Sequence, residues 1–111
     1  MMKINTTEEY ILLSVDENSF EDFYQNFETQ YVNFKENHLI IDFSLQKNVV
    51  EKNISLFLSY ASMHKKNGMS FVLICKNINI DAFPEEFNIV PTLQEAEDVI
   101  EMENIQRDLG F

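Results

Sequence analysis

The chain has 111 residues, 45% of them hydrophobic and ten of them phenylalanine. That is enough for a single domain over residues 1–111 burying roughly 60–70% of its unfolded surface, and it rules out an intrinsically disordered chain. Nineteen acidic residues against eight basic ones give a formal net charge of −11, which argues against nucleic acid and anionic membranes as partners, since both need a clustered basic surface.

Two strands are predicted first, at residues 2–5 and over "YILLSV", residues 10–15, pairing as a hairpin. After the turn-prone "DENS", Asn18 followed by Glu21 reads as an N-cap with its reciprocal acid. Phe20, Phe23, Tyr24, Phe27, Tyr31 and Phe34 recur at steps of three and four and mark one apolar helical face. That aromatic stripe is expected to pack against a sheet rather than to hold a ligand.

"HLIIDF", residues 38–43, reads as a central strand. Asn48 and Glu51 then predict a second capping box, and Val50, Ile54, Phe57, Leu58 and Ala61 a buried stripe. The helix closes at "KKNG", with Asn67 or Gly68 suited to a left-handed C-cap. "MSFVLIC", residues 69–75, is apolar enough for a strand covered on both faces, with Cys75 acting as a small buried hydrophobe.

"KNINIDAFPEEFN" is short and holds Pro84, so a turn is expected there, leading to a strand near residues 87–90. Thr92 and Glu95 of "TLQE" form a third capping box. The last helix turns Leu93, Ala96, Val99 and Ile100 inward and Glu97, Asp98 and Glu101 outward. The order β-β-α-β-α-β-β-α specifies an α/β domain: a mixed sheet, parallel in its centre, with right-handed crossovers and about three helices packed against it.

No catalytic set emerges. His38 and His64 are isolated, read as surface histidines, and belong to no metal-ligand spacing. No glycine lies between Met1 and Asn67, so the P-loop and dinucleotide patterns are missing. No serine sits on a glycine-flanked elbow. The chain is therefore expected not to be an enzyme and to need no cofactor or metal. Ribonuclease Z, which resembles the metallo-β-lactamases, needs a histidine-rich dinuclear metal motif that this sequence does not have. One cysteine precludes an internal disulfide, and no apolar signal core or run of ~18 residues is present, so a cytoplasmic protein is expected.

Three stretches, taken with the element order, resemble the STAS domain, the fold of the bacterial anti-sigma factor antagonists. "LIIDFS", residues 39–44, resembles its central strand ending in aspartate, an apolar residue and serine. "MSFVLIC" resembles the strand after it, and "IVPTLQEAEDVIEM", residues 89–102, the last strand and helix of short bacterial members. The resemblance covers nearly the whole chain and is most specific in its C-terminal third. It implies a regulatory protein-interaction module.

In that family the turn after the central strand carries Asp-Ser-Ser-Gly, and a partner kinase phosphorylates a serine there. Counted without gaps from Asp42, the four positions fall on Val50, Glu51, Lys52 and Asn53, with Lys52 at the target serine. A phosphate would add roughly −1.5 to −2 charge at a helix N-terminus, and a lysine brings the opposite sign. Glu51 could mimic a permanent phosphate, but the capping box explains it more simply.

The resemblance implies a protein partner bound at Lys47, Glu51, Lys52, Asn53 and Ser55, with Ser55 the fallback phosphorylation position. A monomer or weak homodimer is expected. The alternative is an accessory or structural subunit docking through its acidic C-terminal helix. Glu95, Asp98, Glu101 and Met102 would then face the partner, together with the terminal Leu109-Gly110-Phe111.

Overall fold

The computed structural model describes residues 2–15, 19–46 and 48–110. Strand β1 (Met2–Thr6) runs antiparallel to β2 (Ile11–Val15). Strands β3 (Leu39–Asp42), β4 (Phe71–Ile74) and β5 (Asn88–Val90) continue the sheet in parallel, so the five strands lie side by side in chain order. The expected α/β architecture is the one found. Every parallel crossover steps the same way across the sheet, and right-handed connections then place the intervening helices on one face.

That face carries α1 (Phe20–Gln30), α2 (Glu51–Ser55) and α3 (Leu58–Lys66). Their Phe23, Phe27, Ile54 and Phe57 pack on Leu13, Leu39, Ile41, Phe71 and Leu73. Alternate residues of the same strands, Ile40, Val72 and Ile74, point to the opposite face and meet Ala96 and Ile100 of α4 (Leu93–Asp108). Because β3 and β4 are covered on both sides, nearly all their residues are buried, which is why their sequences show no alternation.

Local chemistry sets the helix boundaries, in two cases not where the sequence placed them. The first helix is capped by Ser19, whose Oγ accepts from the Asp22 N–H, rather than by Asn18, which lies outside the described residues. The second begins at Glu51, with Val50 in extended conformation as N-cap and largely exposed instead of in the buried stripe. Asn48 does not cap it, and Glu51 belongs to no capping box. Instead Asn53 Oδ1 accepts from the Val50 N–H at 2.9 Å.

The second helix is also broken. Leu56 and Phe57 N–H donate to the Asn53 and Ile54 carbonyls, three residues back, and this tightened turn separates α2 from α3. Gly68, at φ +75°, supplies the left-handed residue after α3. Thr92 caps α4 by accepting from the Glu95 N–H. Residues 76–87 hold only a 3₁₀ turn, Ile80–Ala82, as their length and Pro84 led one to expect. On α4, Leu93 is exposed rather than turned inward. Glu97 is half-buried, its carboxylate accepting from the Tyr10 hydroxyl at 2.6 Å.

Candidate functional site

The carboxyl end of the parallel sheet brings together the loop after β3, the first turn of α2 and the loop after β4. Asp42 Oδ1 accepts from the Ser44 N–H at 2.8 Å and folds the chain back just past the strand. The four described candidates of α2 then divide into two pairs. Glu51 and Asn53 brace the backbone: Asn53 holds the Val50 N–H, and Glu51 Oε2 accepts from the Asn79 N–H at 2.9 Å, tying the helix to the neighbouring loop. The Asn79 N–H, and secondarily Glu51's own backbone N–H, stabilise the carboxylate and hold its pKa below the usual glutamate value.

Lys52 and Ser55, three residues apart on α2, face water. Ser55 Oγ donates to the Lys52 carbonyl at 2.8 Å, a bond internal to the helix. Lys47 lies outside the described residues. Around this turn three large apolar side chains are exposed: Leu45 at 72%, Val50 at 51% and Ile80 at 58%. Sequence reasoning placed Val50 in the core and did not single out the other two. Their only sequence signal is isolation, each standing apart from the buried stripes.

Cys75, at the end of β4, is buried as expected. Burial foremost, with Glu51 and Asp42 nearby, pushes its thiol up to about 11. That holds it in the unreactive thiol form.

The histidines are not on the surface. His64 is fully buried, with Nδ1 2.6 Å from the Tyr31 hydroxyl and Nε2 3.0 Å from the Asn37 carbonyl. The carbonyl can only accept, so Nε2 carries the proton and Nδ1 accepts from Tyr31. A signal for this burial was present, since His64 extends the run Ile54, Phe57, Ala61 at the next helical step.

His38 is half-buried at the amino end of the sheet, where Nδ1 accepts from the Ser70 N–H at 2.9 Å. The buried Ser70 centres a polar cluster. Its Oγ donates to Glu103 Oε1 at 2.6 Å and accepts from Arg107 Nη2 at 3.0 Å. Asn88 Nδ2 donates to the other Glu103 oxygen at 3.1 Å, and Asn104 Oδ1 accepts from Arg107 at 2.7 Å. The starts of β3, β4 and β5 are thereby fastened to the end of α4 through His38, Ser70 and Asn88, with Glu103 and the chain's single arginine as their partners on the helix. No local pattern links these residues, and sequence reasoning missed the cluster.

Among the described residues no group of three His, Cys, Asp or Glu could hold a metal ion, and no helix is long and apolar enough to cross a membrane. Comparison with models of known protein families and with curated proteins found no match.

Proposed function

We propose that the chain is a non-catalytic, STAS-like interaction module, resembling the bacterial anti-sigma factor antagonists. It docks a protein partner through the carboxyl end of its sheet without a phosphorylation switch. The observation that carries this reading is the exposure of Leu45, Val50 and Ile80 around the first turn of α2. Apolar side chains grouped beside a charged rim are the usual make-up of a protein-binding patch. Lys52 supports the loss of the switch, because it stands at the family's phosphorylated position with a charge opposite to that of phosphate.

On this reading the module works in the cytoplasm as a monomer or weak homodimer, takes no cofactor, and binds neither nucleic acid nor membrane. Glu51 and Asn53 shape the surface, while Lys52, Ser55 and the apolar trio meet the partner. A photo-crosslinking residue at Lys52 tests the reading in cells. A specific adduct that disappears in Val50→Asp/Ile80→Asp protein supports it. An adduct retained in that variant, or stoichiometric phosphate on Ser55 after exposure to the partner kinase and ATP, overturns it.

A second reading is favoured by α4, whose outer face exposes Met102, Ile105 and Leu109 between Asp98, Glu101 and Asp108. An accessory subunit docking through this acidic helix would lose its partner on Met102→Asp/Ile105→Asp substitution. Truncation is the poorer test, since it removes Arg107 from the cluster that fastens α4 to the sheet.

A further inference from the structure

A cavity of about 600 Å³ opens at the amino end of the sheet, away from the proposed docking surface, between α3, the loop before β5 and the last turns of α4. Its size falls within the range of small-molecule sites, roughly 300–1,000 Å³. The inner wall is apolar, formed by Leu58, Ala61, Met69, Phe71 and Phe87, with Phe71 and Phe87 themselves buried. Lys65, Lys66 and Arg107 stand on the lining as well, three of the eight basic residues in a chain of net charge −11.

The charges define the kind of ligand. The side chains of Lys65 and Lys66 have no hydrogen-bonding or ion-pair partner among the described residues. Glu103, by contrast, is already engaged by Ser70 and Asn88 and lies 4.0 Å from Arg107. Three cations against Glu86 and Glu103 leave the lining one formal positive charge. The carboxyl ends of α3 and α4 also border the cavity, and their partial negative charge opposes a dianionic phosphate more than a single negative charge. The hydrogen bonds that Arg107 donates to Ser70 and Asn104 fix its guanidinium in advance, so little ordering remains to be done on binding.

We propose that this cavity binds an amphipathic monocarboxylate, its apolar chain or ring against Phe71, Phe87, Met69 and Leu58 and its carboxylate at Lys65, Lys66 and Arg107. The site is independent of the carboxyl-end docking surface, so either reading can fail without the other.

Titration of the full chain with octanoate, octanol and octylamine, all below micelle-forming concentrations, tests the proposal by amide NMR and calorimetry. Octanoate is expected to shift the amides of Gly68, Met69 and Asn88 and to bind at least tenfold more tightly than the other two. Lys65→Gln/Lys66→Gln, at exposed positions that leave the fold intact by circular dichroism, is expected to weaken octanoate at least tenfold and leave octanol unchanged. Octanol or octylamine binding as tightly as octanoate overturns the assignment. So do shifts confined to the carboxyl end of the sheet, no saturable shift with octanoate, or unchanged octanoate affinity in the double variant.

Discussion

The Tyr31 hydroxyl donates to His64 Nδ1 at 2.6 Å, holding a neutral imidazole inside the aromatic core with its Nε2–H on the Asn37 carbonyl. Burial lowers the His64 pKa below 6.5, outweighing the Asn37 and Phe34 carbonyls that pull it upward. The nearby His38 is shifted the same way, by burial and then by the Arg107 charge.

In the unfolded chain both histidines take up a proton near pH 6.5, which the folded chain resists. The unfolded state therefore binds more protons in that range. The stability this contributes is fully present above pH 6.5 and is lost as pH falls through the folded values. Urea unfolding measured from pH 8 to pH 5 should show that decline, and His64→Phe should remove part of it. The same variant strands the Asn37 carbonyl and Tyr31 hydroxyl and should cost about 1–3 kcal/mol at neutral pH.

Phe57 ties the two halves of the aromatic core together. It is fully buried, with ring contacts to Phe20, Phe23, Tyr24, Phe27, Phe43 and Phe71. It also sits at the break between α2 and α3, where the surrounding backbone is already tightened and poorly able to collapse into a void. Phe57→Ala is expected to destabilise the domain by about 3–5 kcal/mol in chemical denaturation. A loss below 1 kcal/mol would contradict this account of the core.

What could be read in advance follows the range of the forces involved. The strands announce themselves by apolar runs, and α4 by the local pairing of Thr92 with Glu95, so the element order is legible in the sequence. The break at Leu56–Phe57 is not, because "EKNISLFLSY" keeps a helical apolar period straight through it. The position of Glu51 suggested a cap, whereas its actual partner is Asn79, 28 residues away. Ser70 and Arg107 are likewise 37 residues apart, and nothing local to either encodes their pairing. The candidate turn was placed correctly at the end of β3. The exposure of Leu45 and Ile80 beside it became visible only once β3 and β4 lay side by side.

Ser70 and Arg107 should be energetically coupled. Ser70 Oγ is both the donor to Glu103 and the acceptor from Arg107, so removing either partner leaves part of a buried network unmet. A double-mutant cycle with Ser70→Ala and Arg107→Gln is expected to give a coupling energy of about 0.5–3 kcal/mol. Strict additivity would mean that the bond between Arg107 and Ser70 contributes nothing to holding α4 on the sheet.

Tyr10 should make the fold sensitive to alkali. Its hydroxyl donates to Glu97, and that bond, reinforced by burial and by the negative charges of Glu97 and Glu9, pushes its pKa from 10.0 up to about 12. Between those values the folded chain keeps a proton that the unfolded chain has released. The associated stability is present below pH 10 and is lost as pH rises towards 12. Tyr10→Phe should flatten the stability profile over this interval, and ultraviolet titration of the parent protein should show a tyrosine ionising late.

Glu51 offers a way to loosen the proposed docking surface without unfolding the domain. Its carboxylate reaches outward to the Asn79 N–H, so Glu51→Gln weakens a link between the start of α2 and the loop that carries Ile80. The substitution is expected to accelerate hydrogen exchange at Asn79 and leave the amides of β3 and β4 unaffected. The same link should respond to pH in the parent protein. Because the Glu51 pKa is depressed below 4.5, protection of Asn79 should persist through the ordinary glutamate range and be lost only as pH falls through the lower folded value. If loss of the brace also lowers partner affinity with Lys52 and the apolar trio unchanged, the surface works as a preorganised shape and not as a set of separate contacts. Unaltered affinity alongside faster exchange would place binding on Lys52, Ser55 and the apolar side chains themselves.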